Sequence, residues 1–319
     1  MDFGLLSLPP EILAKIFSYI TWNELVNVKL SARKFYFVTE KYLKDMQKPK
    51  LCRIKFLNGC FPDDYKDRIK ITFSILITSA NRIEDINEIE KELRLLPSEL
   101  GQLNSFLQKV DLTLLNYLDF SLDNYTKVMQ IFSDYFNNPN IMDSIHVDVT
   151  IFRKDPGNTL SFLQKIQKVK KLKLDLRFPY IKISRDFIIP VKNSLLELEI
   201  EESLNTAFIN PRMINYFVEN NPNLTSYYLC YEKFGPLKMV IETIAKAELS
   251  RRNNGCFHRE IFIRIEYGTD EILFALIRYF YSEQFPYKSR YVQPGVILYK
   301  GKSKCPVCGE FDIIAIANY

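Results

Sequence analysis

A short apolar pattern recurs through most of this 319-residue chain. In each copy an apolar residue is followed three positions later by a second and two positions after that by a third, as in Val169, Leu172 and Leu174. Alternating apolar positions predict a strand, so the pattern predicts a chain built from similar strand-containing units. The copies start at Leu107, Met142, Val169, Leu195 and Leu224, followed by a degraded sixth that starts at His258, and a leading copy lies over 69–73.

The segments between these strands have apolar residues at three- and four-residue spacing, which is typical of amphipathic helices. Asn210 and Pro211 predict the start of one helix, and Thr269 that of another. The spacing also predicts helices over 125–136 and 86–96, and an apolar stretch predicts a closing strand over 311–317. Strands that alternate with helices favour parallel crossovers, which leave a closed barrel, an open doubly wound sheet or a curved solenoid.

The recurring L-x-x-L-x-L pattern resembles that of leucine-rich repeats, and its central copies are 26 to 29 residues apart. The Asn or Cys that usually follows this pattern is missing from most copies. The resemblance implies a solenoid, in which each unit buries its apolar face against its neighbours. We therefore expect an α/β fold in which residues 51–319 form a divergent leucine-rich-repeat-like solenoid with a C-terminal cap.

The first 50 residues carry a different pattern, which predicts three short helices. Apolar residues from Leu8 to Ile20 fall on one face of the first helix, and Thr21 and Glu24 have capping-box spacing at the start of the second. A helical module of this size buries little surface by itself. Its apolar faces therefore require a partner or the domain that follows.

The runs Leu8-Pro9-x-Glu11-Ile12-Leu13-x-x-Ile16 and Leu25-x-x-Val28-x-Leu30-Ser31-Ala32-Arg33-Lys34-Phe35 resemble an F-box, with Ala32 where that family often has Cys or Ser. The resemblance implies that residues 1–50 bind a Skp-type adaptor and, through it, a cullin scaffold in an SCF-type ubiquitin ligase. It assigns the adaptor contact to Leu8, Pro9, Ile12, Leu13, Ile16, Phe17, Leu25 and Val28. The alternative is that these helices only cap the domain that follows.

Composition argues against two classes of partner. Of the net charge of +5, +3 lies in residues 1–50, so the larger domain is nearly neutral and we expect no nucleic acid to bind it. No apolar run approaches the roughly 18 residues of a membrane helix, so we expect no membrane contact. The N-terminus lacks the features of a secretory signal, which predicts reduced cysteines and a cytoplasmic or nuclear location.

Side chains between the apolar positions of each strand point to the opposite face of the sheet. This face is where a protein substrate would bind, and its rows combine basic, acidic and aromatic residues. The predicted substrate-binding residues are Lys171, Lys173, Asp175, Glu197, Glu199, Glu201, Tyr228, Phe262 and Arg264. The alternative is a solvated face whose charges pair across strands.

Motifs of catalysis are scarce. The sequence has no phosphate-binding glycine loop and no nucleophile elbow, so we expect no enzymatic activity and no cofactor. Cys305-Pro-Val-Cys308-Gly309 resembles half of a zinc knuckle, but tetrahedral zinc needs four ligands and the chain has no second C-x-x-C. Cys256 with His258, or Cys52 with Cys60, would complete the set only if the fold allowed it. We therefore expect a tight turn with reduced thiols and no bound metal, with Cys305 and Cys308 as weak candidates for ligands.

These expectations together describe a non-catalytic substrate-recognition subunit of an SCF-type ubiquitin ligase. The F-box-like helices would bind the adaptor, and the repeat domain would bind a protein substrate. The alternative is an F-box and leucine-rich-repeat scaffold protein without a role in degradation, since both functions need the same two surfaces.

Overall fold

The computed structural model describes residues 4–59, 68–78, 86–137, 140–151, 156–179, 181–203, 206–251, 256, 258–291 and 297–318. Within them lie a small N-terminal helical module and a twelve-stranded sheet with helices. The α/β class expected from the sequence is thus confirmed. The predicted helix over 86–96 and the predicted first repeat strand over 107–112 are not.

The N-terminal module consists of α1 (Pro10–Phe17), α2 (Trp22–Ser31) and α3 (Arg33–Lys41), flanked by short 3₁₀ turns. Its buried apolar residues form a cluster separate from the core of the sheet. The Thr21 hydroxyl lies 2.8 Å from the Glu24 carboxylate, but it does not cap a backbone amide of α2. The predicted helices are present, and the capping box is not formed. The buried cluster is Leu13, Ala14, Phe17, Leu25, Val38 and Met46.

The sheet follows the order of the chain over most of its width. Seven strands, from β4 to β9 together with β1, run parallel in sequence order, and β12 adds to β9 as an eighth parallel strand. Antiparallel strands form both edges of the sheet. At one edge β2 and then β3 follow β1, and at the other edge β11 and then β10 follow β12. The strands are β1 (Leu51–Leu57), β2 (Ile69–Thr78), β3 (Ile86–Leu95), β4 (Tyr117–Asp123), β5 (Met142–Thr150), β6 (Val169–Arg177), β7 (Glu197–Glu202), β8 (Ser226–Tyr231), β9 (Glu260–Tyr267), β10 (Lys288–Tyr291), β11 (Ile297–Lys304) and β12 (Phe311–Asn318).

Helices cover one face of this sheet. Along β5 to β8, residues that point to one side are buried while their neighbours in sequence are in most cases only half buried. Helices on both faces would bury both sets, so the difference places the helix layer on the apolar side. The helices that follow the module are α4 (Leu100–Gln108), α5 (Lys127–Ser133), α6 (Gly157–Leu163), α7 (Pro211–Asn220), α8 (Phe234–Arg251) and α9 (Asp270–Phe280).

The core beneath these helices is rich in aromatic rings. Phe56 and Phe120, on adjacent strands, stack with ring centroids 4.8 Å apart, and Phe132 of α5 meets both edge-on. Aromatic pairs of this kind add to the free energy gained from apolar burial. The predicted Asn210 cap is also present, since its side chain accepts a hydrogen bond of 2.9 Å from the amide of Met213.

Two predicted elements are wrong. Residues 86–96 were expected as a helix, but Ile86–Leu95 form β3, which pairs antiparallel with the whole of β2. The first predicted repeat strand falls instead on the end of α4, and beyond it only a single bridge joins Lys50 to Asp111. The strand of that unit is β4, where Leu118, Phe120 and Leu122 are buried. The leading copy over 69–73 does form a strand, β2, but it runs antiparallel to its neighbours.

Candidate functional site

Three of the eight residues assigned to the adaptor contact are buried inside the helical module. Leu13, Phe17 and Leu25 are buried in it, and the Phe17 ring meets Phe35 edge-on at 5.2 Å. Side chains without exposed surface cannot contact a partner directly. The prediction is therefore corrected for these residues, which support the surface from within.

The other five assigned residues reach the module surface. Pro9, Ile12 and Ile16 are exposed and Leu8 and Val28 are half buried, with 49% of Ile12 accessible. Other large apolar residues of the module are also exposed, and Leu30 is 81% accessible. Together these residues form what we call the apolar module surface. Its members beyond the predicted ones are Leu5, Leu6, Tyr19, Val26, Leu30, Tyr36 and Phe37.

Polar contacts hold this surface in place. The Lys34 ammonium donates hydrogen bonds of 2.8 and 2.9 Å to the carbonyls of Leu6 and Leu8, which fixes the N-terminal segment against α3. Lys29 of α2 pairs with Glu40 of α3, and this hydrogen bond lowers the pKa of the Glu40 carboxyl. The exposed apolar residues thus lie on helices that are held together by hydrogen bonds and an ion pair.

The module is joined directly to the sheet. Asp111 donates its amide to the Pro49 carbonyl and accepts a hydrogen bond from the Leu51 amide, both at 2.9 Å. Trp22 of α2 packs against the core of the sheet. These contacts orient the module relative to β1.

The predicted substrate-binding residues share one side of the sheet, which we call the polar sheet face. Register places Lys173, Glu199, Tyr228 and Arg264 side by side on β6, β7, β8 and β9. Lys171, Glu197 and Phe262 lie in the next row, and Asp175 and Glu201 in the row on the other side. The structure thus places all nine side chains on one side of the sheet, although β9 is shifted by two residues from the register that the repeat spacing predicts.

Many charges of the polar sheet face pair across strands. Lys171 lies 3.3 Å from Glu197, and Lys173 lies 2.5 Å from Glu199. The Arg264 guanidinium lies over the Phe262 ring, 5.4 Å from its centroid. A cavity of about 470 Å³ opens among these groups, lined by Lys171, Lys173, Glu197, Leu198, Glu199, Ser226, Tyr227, Tyr228 and Arg264.

An acidic row adjoins this cavity. Asp148, Asp175 and Glu201 are register neighbours on β5, β6 and β7. Burial raises the pKa of all three carboxyls, and the charge of Asp148 raises that of Asp175 further. Arg177, which the sequence did not indicate, pairs with Asp175 and lies 3.8 Å from Asp148. The row therefore places three carboxyl groups close to one guanidinium.

The two candidate metal ligands lie in a group of four. The turn between β11 and β12 carries Cys305 and Cys308, and the segment before β9 carries Cys256 and His258. One ligand atom from each residue lies within 4.8 Å of every other. The sequence named both pairs but could not join them, because their proximity depends on the pairing of β9 with β12. Of the other pair considered, Cys52 is buried in β1, and Cys60 lies outside the described residues.

A histidine and a carboxylate also meet on the polar sheet face. His146 Nδ1 lies 3.2 Å from Asp119 Oδ1, and the Ser121 hydroxyl donates to the same carboxylate oxygen at 3.2 Å. In a serine hydrolase the hydroxyl bonds to the histidine instead. The three groups are therefore arranged as a polar network centred on Asp119.

Comparison with models of known protein families gives no match, and no curated protein matches the sequence. In the described part of the chain, no helix has both the length and the apolar character needed to span a bilayer.

Proposed function

We propose that this chain is a non-catalytic substrate-recognition subunit of an SCF-type cullin-RING ubiquitin ligase. The helical module would bind a Skp-type adaptor, and the polar sheet face would bind a protein substrate. The observation that carries the proposal is the apolar module surface. It is built on F-box-like residues and remains exposed although the module already packs against the sheet.

The cost of exposed apolar side chains supports a partner. Leu30 and Ile12 each expose large apolar area, and water contact with such area is unfavourable by roughly 25 cal/mol per Å². Under the alternative hypothesis, in which the helices only cap the sheet, these residues would be buried against the sheet. Several large apolar side chains left exposed on one small module favour a protein-binding site.

We infer further that the sheet domain is a leucine-rich-repeat-like solenoid. The support is that parallel strands follow one another in sequence order with helices on one side. Such an arrangement leaves a long open strand face for a protein partner. The mixed charges and the aromatic residues Tyr228 and Phe262 suit a polar protein or peptide surface.

The function follows from holding two proteins together. The ligase's other subunits would supply the activated ubiquitin, and this chain would bring the substrate's lysines close to it. Tethering raises the effective concentration of the two reactants without any chemistry by the tether. The braced junction between module and β1 would keep the two binding surfaces in a fixed relation.

The proposal is tested by co-purification of the full chain with a Skp-type adaptor. Ile12→Glu combined with Leu30→Glu places two charges on the apolar module surface without altering its buried cluster. We expect the wild-type chain to retain the adaptor and the double variant to lose at least 100-fold in affinity, since unpaired charges at an apolar interface are costly. Phe274→Glu is the matched control, because Phe274 is similarly exposed on α9, away from the module.

A folded wild-type chain that does not bind the adaptor would contradict the proposal. The alternative function, a scaffold protein without a role in degradation, shares the adaptor contact. It predicts adaptor binding without ubiquitination of any protein bound to the polar sheet face, which a reconstituted ligase assay would measure.

A further inference from the structure

We propose that Cys256, His258, Cys305 and Cys308 form a structural zinc site that fastens the turn between β11 and β12 to the start of β9. The site is independent of the proposed function. It uses three thiolates and one imidazole, a set of ligands that zinc accepts in closed tetrahedral sites. Such a set leaves no open position for a substrate, so the expected role is structural.

The sheet brings the two halves of the site together. β9 and β12 are parallel neighbours, with Glu260 opposite Ile313. The segments that enter both strands therefore lie at the same edge of the sheet. The Ile313 amide donates a 3.0 Å hydrogen bond to the Arg259 carbonyl, next to His258, and extends the pairing up to the ligands.

The distances among the ligand atoms are close to those of a metal site. The sulfur atoms of Cys256 and Cys305 are 4.0 Å apart, and His258 Nε2 is 2.9 Å from the Cys308 sulfur. Tetrahedral zinc with its usual bond lengths places such atoms about 3.5–3.8 Å from each other. Movements of about an ångström would bring all four atoms onto one ion.

The C-x-x-C half already has the backbone of a knuckle. Gly309 has a φ of 83°, and its amide donates a 3.1 Å hydrogen bond to the Cys305 carbonyl. Residues with a Cβ rarely adopt this left-handed conformation, which explains the glycine after the second cysteine. The Cys305 amide donates in turn to the Glu310 carbonyl at 2.7 Å and closes the turn.

A carboxylate orients the histidine. Asp312 Oδ1 lies 3.3 Å from His258 Nδ1 and also accepts from the Arg259 amide at 3.3 Å. This contact holds the proton on Nδ1 and leaves the Nε2 lone pair directed toward the sulfur atoms. Zinc-bound histidines commonly have such a carboxylate partner on their other nitrogen.

A second contact fixes the backbone that carries Cys256 and His258. The guanidinium of Arg259 forms paired hydrogen bonds with the buried Glu248 carboxylate of α8 and donates to the Pro222 carbonyl. Arg259, the residue next to His258, is thus anchored through both its amide and its side chain before any metal binds. Preorganisation of this kind lowers the cost of ordering the ligands.

The zinc content of the full chain tests the inference. The protein is produced in zinc-supplemented medium with a tag that does not bind metal, purified under reducing conditions and analysed by elemental mass spectrometry. We expect one zinc ion per chain. In the presence of a competing chelator, Cys256→Ser and Cys305→Ser should lose this zinc, whereas Cys230→Ser, on the polar sheet face, should retain it.

Two measurements keep the test decisive if the cysteine variants fail to fold. Replacement of zinc by Co²⁺ in the wild-type chain should give the absorption of a tetrahedral thiolate site. Asp312→Asn keeps all four ligands, and we expect about 10- to 100-fold weaker zinc binding from it in chelator competition.

Three outcomes would overturn the inference. These are a reduced, folded wild-type chain that takes up no stoichiometric zinc, a Cys256→Ser variant that competes for zinc as well as the wild type, and an intact mass that reveals a Cys256–Cys305 disulfide in place of the metal. None of these outcomes depends on adaptor binding, so failure here would leave the proposed function unaffected.

Discussion

Glu202, at the end of β7, is a buried carboxyl with no cation bonded to it among the contacts of the described residues. Its Oε1 atom accepts hydrogen bonds from the amides of Phe208 and Ile209, at 2.8 and 2.6 Å. Burial raises its pKa from 4.5 to about 7, although both hydrogen bonds act in the opposite direction. Within the folded chain the neutral form is therefore favoured over a wide pH range.

The pKa of Glu202 makes stability depend on pH. The folded chain holds this proton more tightly than the unfolded chain, so the stabilisation is complete below pH 4.5 and is lost as the pH rises through about 7. Glu202→Gln keeps an oxygen acceptor and removes the charge. We expect it to raise the free energy of unfolding at pH 8 by up to about 3 kcal/mol and to have little effect at pH 4.5.

Urea unfolding at the two pH values measures this difference. Glu219→Gln, at an exposed position of α7, is the matched control and should change neither value appreciably. Equal effects of Glu202→Gln at both pH values would contradict the titration argument.

Among single residues, the sequence predicted best what depends on near neighbours. The Asn210 cap was predicted correctly because its partner, the Met213 amide, is three residues away. The sequence did not predict that Leu13 is buried while Ile12 is exposed. Both residues fit the same helical stripe, and only the packing of the module buries one and leaves the other at the surface. The joining of Cys256 to Cys305 depends on contacts 49 residues apart.

Among elements, β3 illustrates how a partner strand overrides local pattern. Ile86, Ile89 and Leu93 have helical spacing, and the segment contains three Glu, one Lys and one Arg, all of which favour helices. Pairing with β2 along its full length nevertheless makes it a strand. Strand formation depends on cross-strand neighbours more than on intrinsic preference, and those neighbours cannot be read from a short window of sequence.

β11 contains a glycine, Gly301, that two tyrosines leave no room to replace with a larger residue. A Cβ on Gly301 would lie 2.6 Å from the Tyr299 ring and 2.8 Å from Tyr287 Cβ. The Tyr299 hydroxyl also donates to the Tyr287 carbonyl at 2.6 Å, so the ring cannot move aside without losing that bond. We expect Gly301→Ala to lower the free energy of unfolding by about 1–3 kcal/mol, the usual cost of overpacking.

Chemical denaturation of the variant measures this cost. Gly235→Ala, in α8, is the control, because a Cβ there meets no atom within 4 Å and alanine favours a helix. It should be neutral or slightly stabilising. A Gly301→Ala variant as stable as the wild type would show that the tyrosine pair yields easily.

At the scale of the whole molecule, exchanging the two charges of an ion pair tests what the polar sheet face does. Lys173→Glu reverses one half of the Lys173–Glu199 pair, and the combination with Glu199→Lys restores the pair in the opposite sense. We expect the single variant to lose stability modestly, by about 1 kcal/mol for this partly exposed pair, and the double variant to recover it.

Binding of a protein partner should respond differently from stability. If the partner reads the charges of this face, the double variant should bind at least 10-fold more weakly than the wild type despite its recovered stability. Affinity for the partner captured by the wild-type chain, measured beside thermal stability, separates the two effects. Unchanged affinity in the double variant would assign the charges to cross-strand pairing alone.

At this scale the sequence predicted the α/β class. The strands from β5 to β9 were each identified from the same apolar spacing, although β9 pairs with β8 two residues away from the register that this spacing predicts. Both sides of the sheet departed from the repeat, with antiparallel strands at β2, β3, β10 and β11. The direction of those strands depends on the strands they pair with at the two edges of the sheet, and the repeat pattern carries no information about that pairing.

The sequence order of the parallel strands also bears on how the chain assembles during synthesis. From β4 to β9, each strand that leaves the ribosome finds its neighbour already made. Growth can therefore proceed by addition to a single open edge, with no long wait for a distant partner. β12 is the exception, because it must pass β10 and β11 to reach β9. We therefore expect the edge of β9 to stay open to pairing with other nascent chains until β12 arrives.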